Sequence, residues 1–127
     1  RVLASPLGMA LVAAAAASGR AQVPTLIYGR ETEVNGPRAS LAENVYQQLR
    51  PMMRAVVTEG TATSIAGAGE VYGKTGEAEV AGGSHAWFTG YRGDIAFATL
   101  IVLGGDSTNS VNLTRDFLGA VPGDYRP

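Results

Sequence analysis

Between residues 71 and 104 the residue pattern confines the chain to a small set of folds. Three strand-like runs, 71–80, 85–91 and 95–104, are separated by glycine-bearing links at Gly82-Gly83 and Arg92-Gly93-Asp94. A parallel crossover takes roughly a dozen residues or more, so runs joined this closely must pair antiparallel. The last run, from Ile95 through Leu103, is apolar at both parities, which predicts a central strand covered on each face.

Helical patterns flank this meander. Ser5 can cap and Pro6 suits the first helical position of an alanine-rich run from Leu7 to Ala17, with Ser18-Gly19 as its stop. The same run, following Arg1, has the outline of a secretory signal, but its two punctuated ends favour a buried helix and it is too short to span a bilayer. Residues 23–28 read as a short strand or extended edge. Residues 29–40, with Asn35-Gly36-Pro37, read as a surface loop or ribbon. Ser40 and Glu43 form a capping box for a second helix, with Leu41, Val45, Leu49, Met52, Met53 and Val56 near helical spacing. Pro51 should kink or split it. Residues 58–69 lack periodicity and read as loop. A closing helix spans about 107–118, capped by Asp106 or Ser107 and ended by Gly119. The expected class is α+β, an antiparallel β-sheet packed with helices.

Composition narrows the function. In 127 residues there is room for one modest domain. A net charge of −1, with basic residues scattered, offers neither a nucleic-acid footprint nor a polybasic membrane anchor. With no cysteine and one histidine, His85, a metal site is not expected, and His85 is read as structural. No cofactor is expected.

The chemistry concentrates at Lys74-Thr75-Gly76-Glu77. Lys-Thr-Gly is one of three short motifs used by penicilloyl-type serine acyltransferases. An acyl-transfer site needs a cation for a substrate carboxylate, a hydroxyl to orient it and backbone N–H groups aimed at the developing oxyanion. Lys74 and Thr75 supply the first two, Gly76 leaves room for an extended peptide, and the Glu77 N–H is placed to be the oxyanion donor. No Ser-x-x-Lys is present, and no Ser-x-Asn tripeptide supplies the missing proton relay. A competing reading takes residues 68–75 as a phosphate-binding loop with alanine at its first position, which requires a helix directly after Thr75.

Ser5-Pro6-Leu7 opening an alanine-rich helix, residues 54–62 ending in Glu59-Gly60-Thr61-Ala62, Gly73-Lys74-Thr75-Gly76, and His85-Ala86-Trp87-Phe88-Thr89-Gly90-Tyr91 follow one another in a telling order. In that order the chain resembles the end of the transpeptidase domain of class B penicillin-binding proteins, a fold shared with serine β-lactamases. The resemblance implies that residues 1–127 are the C-terminal portion of such a domain, with the serine nucleophile upstream of Arg1. It further implies a D,D-transpeptidase acting on D-Ala-D-Ala stem peptides, acylated by β-lactams, and held at the extracytoplasmic face of the membrane by an anchor outside this chain. The implied partners are stem peptides, β-lactams and the N-terminal portion of the same protein, with no nucleic acid. Lys74, Thr75 and Gly76 would match the family's catalytic strand. The family usually has threonine next; here it is Glu77, which keeps open a non-catalytic β-lactam or muropeptide binder, and Glu77→Thr is expected to speed acylation. Trp87 and Phe88, on opposite faces of a strand, are read as core packing, one under a helix and the other covering the second face or bordering the site. Such a chain on its own should expose apolar surface that the N-terminal portion covers.

Overall fold

The computed structural model describes residues 3–122 and residue 125; Arg1, the basic residue of the secretory reading, lies outside them. In chain order the elements are α1 (Pro6–Ser18), α2 (Glu43–Thr58), a 3-10 helix (Thr63–Ala68), β1 (Val71–Val80), β2 (Gly83–Arg92), β3 (Ile95–Ile101) and α3 (Thr108–Ala120). The three strands form one antiparallel sheet in the order β1-β2-β3. Val80 pairs with Gly83 and Arg92 with Ile95, so each link is a two-residue turn, and Gly82 and Gly93 supply the positive φ that such turns require.

The sheet carries two layers. On one face Val71, Phe88 and Phe97 pack against Val111 and Leu118 of α3, Ile65 of the 3-10 helix and Val57 of α2. On the other, Tyr72 and Tyr91 pack against Ala16 of α1 and Met53 of α2. The helix α2 therefore serves both layers, reaching around the β1 edge. β3 ends at Ile101 and lies at an edge, correcting the expected central strand: its double-sided apolarity comes from α1 on one face and α3 on the other.

Local signals explain the ends of α1. Ser5 Oγ accepts from the Gly8 N–H at 3.1 Å, and Gly19 closes the helix in the left-handed conformation with its N–H on Ala15 O. The expected Ser40 cap is not formed. Ser40 instead bridges Arg20, and Ala21 N donates to Ala39 O, so residues 20–40 form a closed ribbon base, while α2 starts three residues later behind Ala42. Residues 23–28 belong to that ribbon and pair into no strand. Pro51 does not split α2, whose flanking Met53 and Val57 are buried in the two layers. The segment read as loop contains the 3-10 helix, anchored by the fully buried Ile65. α3 runs through Gly119 to Ala120; Asp106 Oδ1 accepts from the Thr108 N–H at 2.7 Å, and the Thr108 hydroxyl and N–H hold that carboxyl below its usual range. Among the described residues no helix is long and apolar enough to cross a membrane.

Candidate active site

Lys74, Thr75, Gly76 and Glu77 lie together in β1, an edge strand. In an antiparallel strand the N–H and C=O of one residue point the same way, and those of the next residue the opposite way. The Val71 carbonyl accepts from Arg54 Nη1 at 2.8 Å and the Thr75 carbonyl from Lys74 Nζ at 2.8 Å. Main-chain groups of the odd-numbered residues thus face away from β2, and by this parity the Glu77 N–H faces the open edge.

The side chains divide between the two faces. Lys74 is on the α1 and α2 side, where it lines an apolar groove of about 520 Å³ together with Met9, Val12, Met52, Met53 and Thr89. Thr89, its register partner on β2, has Oγ1 3.2 Å from Met9 O and 3.1 Å from Phe97 O. Thr75 turns to the opposite face and is 8% exposed, with Oγ1 2.7 Å from Thr61 Oγ1. Glu77 shares that face, and its Oε1 accepts from the Ser107 N–H at 3.0 Å. Sequence reasoning missed Thr61 and Ser107 as partners of the site strand. Gly60 was a usable signal for the first, since a Cβ there would lie 2.8 Å from Val56 Cα, and its absence lets the chain turn tightly into Thr61.

Two glycines of the strand differ in what requires them. A Cβ on Gly73 would meet the Phe88 ring at 2.5 Å, so the core needs that glycine. A Cβ on Gly76 would meet only Trp87 Cβ at 3.5 Å, an ordinary contact, so nothing inside the fold requires glycine at position 76. Trp87 itself is half-buried beside Gly76, whereas Phe88 is fully buried, so only Phe88 matches the expected core role.

At the Val71 end of the strand, Tyr72 and Tyr91 stack at 4.8 Å and the Arg50 guanidinium sits 4.8 Å above the Tyr72 ring. Hydrogen bonds from Arg50 to the Tyr72 and Tyr46 hydroxyls raise the Arg50 pKa, and the Tyr72 hydroxyl donates to Glu70. The Tyr91 hydroxyl is buried without a hydrogen-bond partner among the described residues, and burial pushes it up to about 12. His85 has a structural bond: its Nδ1 accepts from the Leu103 N–H at 2.9 Å, holding the segment between β3 and α3.

Lys74 and Thr75 sit inside a strand, and β1 continues to Val80 with no helix after Thr75. This removes the phosphate-loop reading, which needs a helix N-terminus at that point.

No curated protein matches the chain. A solved structure, the D,D-transpeptidase domain of a peptidoglycan glycosyltransferase from Eggerthella lenta, matches with a TM-score of 0.68 and 24% identity. The match covers 91% of this chain and 31% of that one, and at this identity it speaks for the fold. The family model of the penicillin-binding protein transpeptidase domain matches residues 2–118, which takes in the Lys-Thr-Gly strand, the meander and nearly all of α3. The chain thus belongs to the penicillin-binding protein transpeptidase domain family.

Proposed function

We propose that this chain forms one wall of a serine D,D-transpeptidase site acting on D-Ala-D-Ala stem peptides and acylated by β-lactams, with the nucleophile on polypeptide outside these residues. The observation that carries the reading is the open edge of β1, where Lys74, Gly76 and the Glu77 N–H present an ammonium, a bare backbone and an outward N–H within four consecutive residues, with the Thr75 hydroxyl between them bonded to Thr61 on the opposite face.

Each group has a role in acyl transfer. The serine oxygen attacks the carbonyl of the penultimate D-alanine, and the negative charge that develops on the carbonyl oxygen is met by the Glu77 N–H. Lys74 holds the terminal carboxylate, and Thr75, bonded through its hydroxyl to Thr61 on the opposite face, fixes the strand beside it. Gly76 supports the reading because the fold does not need it, so its bare backbone serves the approaching peptide. Collapse of the tetrahedral intermediate breaks the peptide bond. The departing D-alanine takes up a proton, and an acceptor amine then displaces the serine ester. The apolar groove beside Lys74 suits cover by the N-terminal portion of the protein. An extracytoplasmic location follows from a peptidoglycan substrate.

The acid at position 77 favours a second reading, a binder of β-lactams or muropeptides without turnover. Both readings are tested on protein that includes the nucleophile-bearing polypeptide, by intact mass after penicillin and by D-alanine release from a D-Ala-D-Ala peptide. A covalent adduct with D-alanine release is expected; an adduct or reversible binding without release supports the binder, and neither event rejects both.

A further inference from the structure

We propose that the Glu77 side chain is a positioning residue for acyl transfer, its bond to Ser107 holding the Gly76–Glu77 peptide where the Glu77 N–H meets the developing oxyanion. The inference rests on the acyl-transfer reading above.

The C-terminal half of β1 has little else to fix it. Ala78, Glu79 and Val80 are exposed and are held through β2. Among the described residues, the side-chain hydrogen bonds that tie residues 75–80 to anything outside the sheet are Thr75 with Thr61 and Glu77 with Ser107. They flank Gly76, which has no side chain with which to anchor itself. One bond reaches the turn after α2; the other reaches the start of α3, thirty residues along the chain. Residue 77 is therefore both the candidate oxyanion donor, through its N–H, and an anchor, through its carboxylate.

The acceptor chemistry suits the position. N–H groups at a helix start lack intrahelical partners, and a carboxylate there is favoured by the helix dipole. Ser107 is 8% exposed, so its N–H without Glu77 would be poorly served by water. Glu77 and Lys74 project to opposite faces of β1, and the two form no ion pair among the described residues. The charge at position 77 is thus committed to α3, and Lys74 stays available for a substrate carboxylate. Threonine at position 77 would be too short to make the same bond, which reverses the expectation that Glu77→Thr speeds acylation.

The test measures penicillin acylation of protein that includes the nucleophile-bearing polypeptide, separating the acylation rate constant from the pre-acylation dissociation constant. Because a misplacement of about 1 Å can cost about 100-fold, Glu77→Ala should lower the rate constant roughly 10- to 100-fold with little change in the dissociation constant. Glu77→Gln keeps an acceptor oxygen and should stay near wild type, and Glu77→Thr should fall with the alanine variant. Ser107→Pro deletes the donor from the other side at a φ of −61° that proline accepts, and should reproduce the loss. Amide exchange at residues 76–78 should quicken in the slow variants alone. Wild-type rates in Glu77→Ala or Ser107→Pro, a glutamine variant as slow as alanine, or a threonine variant faster than wild type would each overturn the proposal. A wild-type protein that no penicillin acylates would instead overturn the acyl-transfer reading, and this inference with it.

Discussion

The two faces of the sheet are finished to different degrees. On the α3 face, Phe88, Ile65, Val111 and Leu118 are at most 1% exposed and Thr99 bonds Thr114 across the layer, so the chain closes that core with its own residues. On the α1 face the stacked tyrosines close only one end; beside Lys74 the layer opens into the apolar groove, with Met52 65% and Val12 57% exposed on its rim. Stability is concentrated where the packing is complete, and the candidate chemistry lies where it is not. The division also runs along β1. Its first residues, through Thr75, are mostly buried, and its last, from Glu77, are exposed. A binding strand needs that combination, with one end rigid and the other accessible.

The sharpest way to break this contrast is a pair of truncations. Phe88→Ala on the closed face should cost about 3–5 kcal/mol by denaturant unfolding, whereas Met52→Ala on the groove rim should stay within about 0.5 kcal/mol. Comparable costs would mean that the two layers are equally finished. The glycines sharpen the comparison within β1. Gly73→Ala must push the Phe88 ring aside and should cost about 1–3 kcal/mol, while Gly76→Ala should change stability by less than about 0.5 kcal/mol and still slow acylation. A Gly76→Ala protein that acylates at the wild-type rate would leave that glycine without a role. Tyr91→Phe removes an unpaired buried hydroxyl from the less complete layer and should stabilise by up to about 1 kcal/mol.

Tyr91 also makes a pH prediction whose sign follows from burial. Its folded-state pKa is raised to about 12 from an ordinary value of 10.0, so the fold favours the neutral phenol. That contribution is complete below pH 10.0 and is lost as the pH rises toward 12. Absorbance titration should find a late-ionising tyrosine that Tyr91→Phe removes. Stability that stayed flat over this window would contradict the burial argument.

The sequence made much of the fold legible because its signals are local. Ser5, Pro6 and Gly19 delimit α1, and the paired turns at Gly82 and Gly93 set an antiparallel register that no longer-range contact alters. Misreadings arose where a local signal met a tertiary competitor. Ser40 and Glu43 have capping-box spacing, but Ser40 is taken by Arg20 from the far side of the ribbon. Pro51 carries a breaker's chemistry, yet α2 is buried on both sides of it. The apolarity of β3 reported two covered faces correctly and said nothing about neighbouring strands, which is why an edge strand read as a central one. At the site, Lys74 through Glu77 were legible as a motif. Thr61 and Ser107, fourteen residues before Thr75 and thirty after Glu77, depend on how three elements come together; Gly60 marks the tight turn into Thr61, but no local spacing marks either pairing.

The most direct test is the penicillin acylation rate of Lys74→Ala against wild type, in protein that includes the nucleophile-bearing polypeptide. Lys74 is exposed on an edge strand and packs into neither core cluster, so the variant should unfold at nearly the wild-type midpoint. Its acylation rate should fall by roughly 100-fold or more if its ammonium helps to hold the substrate carboxylate in the reacting complex. An unchanged rate in a folded variant would take Lys74 out of the mechanism and contradict the assignment of the β1 edge as the wall of the site.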